Sequence, residues 1–487
     1  MATIPNSQNF PQFSQADIIS EMKKVSNIDI SDFRFYPAIQ NRPNEIIKIE
    51  SEENGIVLTF GTVARKALLS YTHETSLHLY KPADATVDTL YLHINIWTDD
   101  IFRVVFSKEK KISNPFSGLP ENARMLIAKP EKVEFTLDET ENKITLTTSK
   151  TEITVDKKTT RISAKFIDGK EFYSQKKQDF RTGDIHDLAL ADSDNDYACF
   201  EALELESDEI IYGLGERFDS LTRNGRTVDF HNKDAVGTTS RRAYINIPFY
   251  LSTKGYGLFL NSGAKTDWQI ATTDLSALQF AVLDSQLDYF VIGGKTPKDI
   301  IKGYCSLTGF SKLPPLWSFG LWMSRNSYVS WDVVDDIAKK VRENDIPCDV
   351  LHLDTAWFNR DWNCDLKFSE ERFPNPEENI DRYKKDGFKI SLWQYNFIPP
   401  NDDNEHYHEA VKYGYLSKDK DGNPYQLPET CQGSWVKDVT IDFSNPDACK
   451  WYADKIKELI KLGACAIKTD FGEGIAEDAV YQNIDGK

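Results

Sequence analysis

Lys468 and Asp470 stand two residues apart near the end of an apolar run, ACAIKTDFGEGI (464–475), the most informative stretch of the chain. In a strand alternate residues share a face, so Lys468 and Asp470 point one way while Ile467 and Thr469 point the other. A cation beside a carboxylate holds it ionised, which suits a nucleophile or base at the C-terminal end of a buried parallel strand. The same spacing also serves a structural ion pair at a strand end, and these residues alone leave both readings open.

Three other apolar runs end in related chemistry. They finish at WMSRNSY (322–328), at Asp354-Thr355-Ala356-Trp357 and at Trp393-Gln394-Tyr395-Asn396. Each offers an aromatic ring, a carboxylate or both. Aromatic faces accept the C–H-rich faces of a pyranose, and carboxylates accept its hydroxyls, so this combination suits a sugar. No histidine or cysteine clusters at these ends, so neither a metal site nor a Cys/His nucleophile is expected. The pair His406 and His408 reads as part of a solvated loop.

The elements that must position these residues form two patterns. From about 45 to 309 short alternating runs are separated by turn signals, most clearly over 132–173 and 87–107, with further strands at 241–252, 257–262 and 289–292. That is an antiparallel β-sandwich of more than 200 residues. After Leu313-Pro314-Pro315 apolar strands alternate with helices: strand 319–324, a helix from about Trp331, strand 349–354, helix 377–385, strand 389–394, helix 447–462 and strand 465–470. Asn445-Pro446 starts the last helix and Gly463 ends it. Alternation of this kind predicts a parallel sheet with right-handed crossovers. A closed eight-stranded barrel needs about 250 residues, so the stretch from Leu316 to Lys487 holds about four of its eight β/α units. No Gly-rich phosphate loop opens the first βα turn, which disfavours a doubly wound nucleotide-binding sheet.

The chain has 487 residues, a net charge of −18 and a pI near 5.0. That charge would repel nucleic acid and anionic membranes, so neither is an expected partner. Seven scattered cysteines without a CxxC pair disfavour structural zinc and a disulfide framework. The chain has no Asn-x-Ser/Thr sequon, no signal-like N-terminus and no apolar run of membrane-spanning length, and a cytoplasmic location is expected.

KTDFGE (468–473) resembles the nucleophile motif of glycoside hydrolase family 31, in particular its α-xylosidase branch. The segments 211–232, 246–261, 313–322, 371–380 and 441–459 resemble that branch in the same order. The fold this implies is multidomain: an N-terminal galactose-mutarotase-like β-sandwich over 1–310, then the first half of a (β/α)8 TIM barrel over 311–487. The implied activity is a retaining α-glycosidase that removes terminal non-reducing α-linked xylose, with an α-glucosidase as the alternative. A catalytically inactive chain that at most binds carbohydrate is an alternative of another class. By the same resemblance Asp470 is the catalytic nucleophile and Glu473 an active-site carboxylate. Asp354, Trp393 and Lys468 line the subsite for the non-reducing sugar. The resemblance implies no cofactor or metal, an oligosaccharide or glycoside substrate, and a homo-oligomer when full length.

Three departures from the branch stand out. Thr355-Ala356 follows Asp354 where the branch carries a small residue and then a large aromatic, which leaves room for glucose. Gly474 follows Glu473 in place of arginine. The general acid, which a retaining mechanism places about 5–5.5 Å from the nucleophile, is expected beyond Lys487. A chain ending there leaves the fourth strand as an uncovered parallel edge, for which aggregation or degradation is the expectation.

Overall fold

The computed structural model describes residues 39–68, 79–114, 116, 124–130, 132–176, 188–193, 196–230, 232, 243–272, 274–427, 437–472, 474 and 478–483. Its N-terminal part is antiparallel throughout. A fourteen-stranded sheet and a five-stranded sheet over 136–174 face one another. Alternation decides what they share: Leu90, Leu92, Ile94 and Ile96 of Thr89–Thr98, with Phe102, Val104 and Phe106 of Ile101–Ser107, turn inward. From the smaller sheet Ile144, Leu146, Ile153, Val155 and Ile162 meet them in one core cluster, as two packed sheets require.

The strand Gln286–Gly293 is buried along its whole length. Leu287, Tyr289 and Val291 join the main core, while Phe290 and Ile292 pack on the other face with Ile300 and Leu307 of the helix Pro297–Thr308. That helix starts with a capping box between Thr296 and Asp299, and Pro297 follows the cap.

Four parallel strands follow, in the order β1 (Trp322–Ser324), β2 (Val350–Leu353), β3 (Lys389–Tyr395) and β4 (Ala466–Asp470). The connecting helices are α1 (Trp331–Glu343), α2 (Pro376–Lys385), α3 (Glu405–Tyr413) and α4 (Pro446–Lys461). Leu351, Leu353, Ile390 and Leu392 share a core cluster with Val334, Val341, Ile380 and Leu459 of the helices. The remaining face of the strands carries polar residues. The Asn445 side chain accepts from Asp447 N–H at 2.9 Å to cap α4, and Gly463 leaves it at φ +108°. Among the described residues no helix is long and apolar enough to cross a membrane.

Three local expectations change, and the strand expected over 241–252 begins only at Phe249. The first strand does not begin at Phe319, because Leu316–Phe319 forms a 3₁₀ turn after Pro315, closed by the Ser318 hydroxyl on the Pro315 carbonyl at 2.7 Å. His406 is not solvated. It lies one turn before Ala410 on the inner face of α3, is 3% exposed and packs its ring on Trp451 at 4.3 Å. Burial pushes its imidazole down to about 3, so the ring stays neutral and behaves as a core aromatic. His408, on the outer side of α3, is exposed.

Among the described residues of the sandwich core, Glu201 sits in a buried ionisable network. Glu201 Oε2 accepts from Gln175 Nε2 at 2.7 Å and from the Tyr289 hydroxyl at 2.9 Å, and Oε1 accepts from Ala202 N–H at 2.8 Å. Burial nevertheless outweighs these donors and lifts the carboxyl from 4.5 to about 7. A raised carboxyl favours the folded state when protonated, so its stabilisation is complete below the unfolded value and is lost as pH climbs through the folded one. Unfolding measured at pH 5 and pH 8 is expected to show wild type losing of the order of 3 kcal/mol more than Glu201→Gln over that interval. The same pH dependence in both proteins would sink this account.

Candidate active site

Parallel register puts the polar residues of three strands on one face. His352 pairs with Ser391, Trp393 with Lys468 and Tyr395 with Asp470. Since side chains alternate, the face carries His352, Ser391, Trp393, Tyr395, Lys468 and Asp470. Leu392, Gln394 and Ile467 turn the other way, and the Tyr452 hydroxyl of α4 donates to Gln394 Oε1.

Asp470 ends β4 and takes donors on both oxygens. Oδ2 accepts the Trp393 indole N–H at 2.8 Å and lies 3.2 Å from Lys468 Nζ, while Oδ1 accepts Phe471 N–H at 3.2 Å. A turn follows this bond: Phe471 has φ +54° and Gly472 φ +117°. A left-handed phenylalanine costs about 1–2 kcal/mol.

Asp354 follows β2 and caps the 3₁₀ turn Thr355–Trp357. Its Oδ1 accepts Thr355 N–H at 3.0 Å, and Oδ2 lies 3.3 Å from His352 Nε2 and 3.9 Å from Lys468 Nζ. Burial pushes this carboxyl up, but the His352 and Thr355 hydrogen bonds and the Lys468 charge outweigh it, so it sits below its ordinary value. Lys468 therefore reaches from β4 over β3 toward the end of β2, its side chain 46% exposed, with a carboxylate on each side. The arrangement offers the Asp470 carboxyl group in fixed orientation, a second acceptor in Asp354 and the Lys468 side chain between them.

The structure brings Asp470, Lys468, Asp354 and Trp393 together; Glu473 lies outside the described residues. Trp393 is placed beneath Asp470 and is 1% exposed. It presents its N–H rather than a ring face, its carbonyl accepts Trp357 Nε1–H at 2.8 Å, and Trp362 meets it edge-on at 5.1 Å. The partly exposed rings are Trp362 and Phe471, 6.4 Å apart. Ala356 is buried. Sequence reasoning passed over His352, Ser391 and Trp362. The first two stand two residues before Asp354 and Trp393, where period-2 alternation puts them on the same face. Trp362 follows no comparable rule. Among the described residues no group of three or more His, Cys, Asp or Glu is placed to hold a metal ion.

A β-sandwich leading into parallel β/α units, with carboxylates at the C-terminal strand ends, defines the general class of a barrel glycosidase. Residues 91–268 match the glycosyl hydrolase 31 N-terminal galactose mutarotase-like domain, and residues 311–485 match the glycosyl hydrolases family 31 TIM-barrel domain. The chain belongs to glycoside hydrolase family 31. It is similar to an α-xylosidase of Lactiplantibacillus pentosus, 38% identical over 284 residues that make up 58% of this chain and 36% of that protein. It is also similar to α-glucosidase 2 of Bacillus thermoamyloliquefaciens, 29% identical over 395 residues, 79% of this chain and 47% of that protein. Among solved structures, a family 31 dextranase of Flavobacterium johnsoniae complexed with glucose superposes with a TM-score of 0.72 at 20% identity, over 88% of this chain and 47% of that one. The chain thus spans 36% and 47% of the length of these two curated relatives.

Trp393→Phe keeps an apolar ring and deletes the donor to Asp470. Hydrogen bonds to charged groups contribute roughly 1.5–3 kcal/mol, so kcat/KM of the full-length protein on an aryl α-glycoside is expected to fall about 10–100-fold with little change in Tm. A lowered Tm with turnover per folded molecule intact would leave Trp393 a packing role only.

Proposed function

We propose that the full-length protein is a retaining α-glycosidase that releases terminal non-reducing α-linked xylose, with Asp470 as nucleophile. The observation that carries this reading is the Asp470 carboxylate at the C-terminal end of β4, held by the Trp393 N–H and the Lys468 ammonium. A carboxylate oxygen of Asp470 attacks the anomeric carbon as the bond to the leaving oxygen breaks, giving a glycosyl ester of inverted configuration. The leaving oxygen takes its proton from a second carboxyl, which we assign to later β/α units of the barrel. Water then attacks the anomeric carbon from the opposite face, gives its proton to that carboxylate, and breaks the bond to the Asp470 oxygen, freeing Asp470 with net retention. Asp354 accepts hydrogen bonds from sugar hydroxyls, a role that its depressed carboxyl pKa supports. Glu473, in the same motif as Asp470, is assigned to the same active site.

Xylose is preferred because the α-xylosidase relative is more similar in sequence than the α-glucosidase. Glucose is the second reading. It is favoured by Ala356, a methyl group two residues past Asp354 where a large aromatic would crowd a hydroxymethyl substituent.

In the full-length protein, hydrolysis of p-nitrophenyl α-xyloside is expected to exceed that of the α-glucoside, and the reverse order selects the second reading. Asp470→Asn is expected to lower kcat by about 10⁴-fold or more while Tm stays near wild type. A folded Asp470→Asn protein that retains activity removes Asp470 from the chemistry.

A further inference from the structure

The polar face of the sheet carries residues that the double displacement does not use, His352 and Ser391 among them. His352 and Ser391 are both buried, and parallel register sets them side by side on β2 and β3. The imidazole Nδ1 lies 2.9 Å from Ser391 Oγ, and Nε2 lies 3.3 Å from Asp354 Oδ2. An ionised carboxylate only accepts, so Nε2 must carry the hydrogen. With Nε2 carrying the hydrogen of the neutral tautomer, Nδ1 is left to accept, and the Ser391 hydroxyl donates to it. Donation thus runs one way, from Ser391 through His352 to Asp354.

Lys468 connects this relay to Asp470. Its Nζ stands 3.2 Å from Asp470 Oδ2 and 3.9 Å from the Asp354 oxygen that His352 holds. Each carboxylate has two further donors: Trp393 and Phe471 N–H serve Asp470, and His352 and Thr355 N–H serve Asp354. An ammonium shared between two such carboxylates moves toward whichever loses a donor, because that one is left the more poorly satisfied. The other groups on this face do not compete: β1 contributes Ser324, β3 contributes Ser391 and Trp393, and the Tyr395 hydroxyl is turned to Asp438 at 2.7 Å.

We propose that His352, oriented by Ser391, is a positioning residue that satisfies Asp354 and thereby keeps the Lys468 ammonium on Asp470. The proposal rests on Asp470 being the nucleophile. Its consequence is specific: without His352, Lys468 moves to Asp354, and Asp470 must lose its proton with less help from a cation.

The test compares His352→Leu, His352→Gln and Ser391→Ala in the full-length enzyme, following kcat/KM against pH on the better p-nitrophenyl glycoside. His352→Leu is expected to lose about tenfold at neutral pH and to move the acid limb upward by about half a unit or more. His352→Gln keeps an amide N–H for Asp354 and is expected to recover the limb and most of the rate. Ser391→Ala releases the ring tautomer and is expected to fall between them. An unmoved acid limb in His352→Leu overturns the proposal, as does an equal loss in the Leu and Gln variants that tracks a fall in Tm. Should His352→Leu not fold, an unmoved limb in Ser391→Ala has the same force. Asp470→Asn separates the two levels: activity retained there removes the nucleophile reading, whereas loss there with a wild-type His352→Leu profile removes only the role of His352.

Discussion

One ammonium group shared between two carboxylates sets the requirements for the rest of the barrel portion. Lys468 belongs to β4, Asp470 ends the same strand, and Asp354 follows β2, two strands away in the sheet. The cation reaches both across β3, whose Trp393 and Tyr395 are buried. A half-exposed ion pair contributes little by itself. Its orientation comes instead from uncharged donors, namely an indole N–H, an imidazole N–H and two backbone amides. Electrostatics here is a matter of geometry, and the geometry is set by strand register.

Register in turn is held from the opposite face. Leu351, Leu353, Ile390 and Leu392 are buried against the helices, and a slip of one residue in any strand would send them to the polar face and expose the charged set to the core. The helices are fixed by ordinary local chemistry: Asn445 caps α4, proline begins α2 and α4, and Lys340 and Arg342 end α1. The energy that places Asp470 therefore resides mostly in aliphatic packing remote from it, which leaves the site face free to carry groups that contribute little to folding.

Period-2 reasoning was enough to put Lys468 and Asp470 on one face and to find Asp354 and Trp393 at neighbouring strand ends, because those relations are local. The order of sandwich and β/α units was legible for the same reason. What a side chain does at the end of its strand was less so. Trp393 reads as a ring for a sugar to lie on, yet it is 1% exposed and gives its N–H to Asp470. His406 sits in a polar-looking sequence, but helical spacing to Ala410 and the Trp451 ring take it into the core. Both cases turn on contacts with residues more than thirty positions away. The left-handed turn at Phe471 was also hidden, since nothing in the residue type announces φ +54°.

That turn belongs to a wider pattern of unusual backbone around the site. Trp362, Cys364 and Leu366, in the segment after β2, have φ of 65°, 45° and 53°, and none is glycine. Residues in this region persist only where their surroundings over-determine them. Here the surroundings are visible: Cys364 Sγ accepts Tyr395 N–H at 3.5 Å, and Trp362 packs edge-on to both Trp393 and Tyr395. The strain has a structural return, because it brings the Trp362 ring to 6.4 Å from Phe471 at an interplanar angle of 36°. Two loop residues in left-handed conformations thus supply the partly exposed aromatic surface that the buried strand tryptophan cannot. The strands fix the charges and the loops supply the rings, so substitutions that relax the loop backbone should alter the aromatic surface while leaving the Asp354, Lys468 and Asp470 cluster in place.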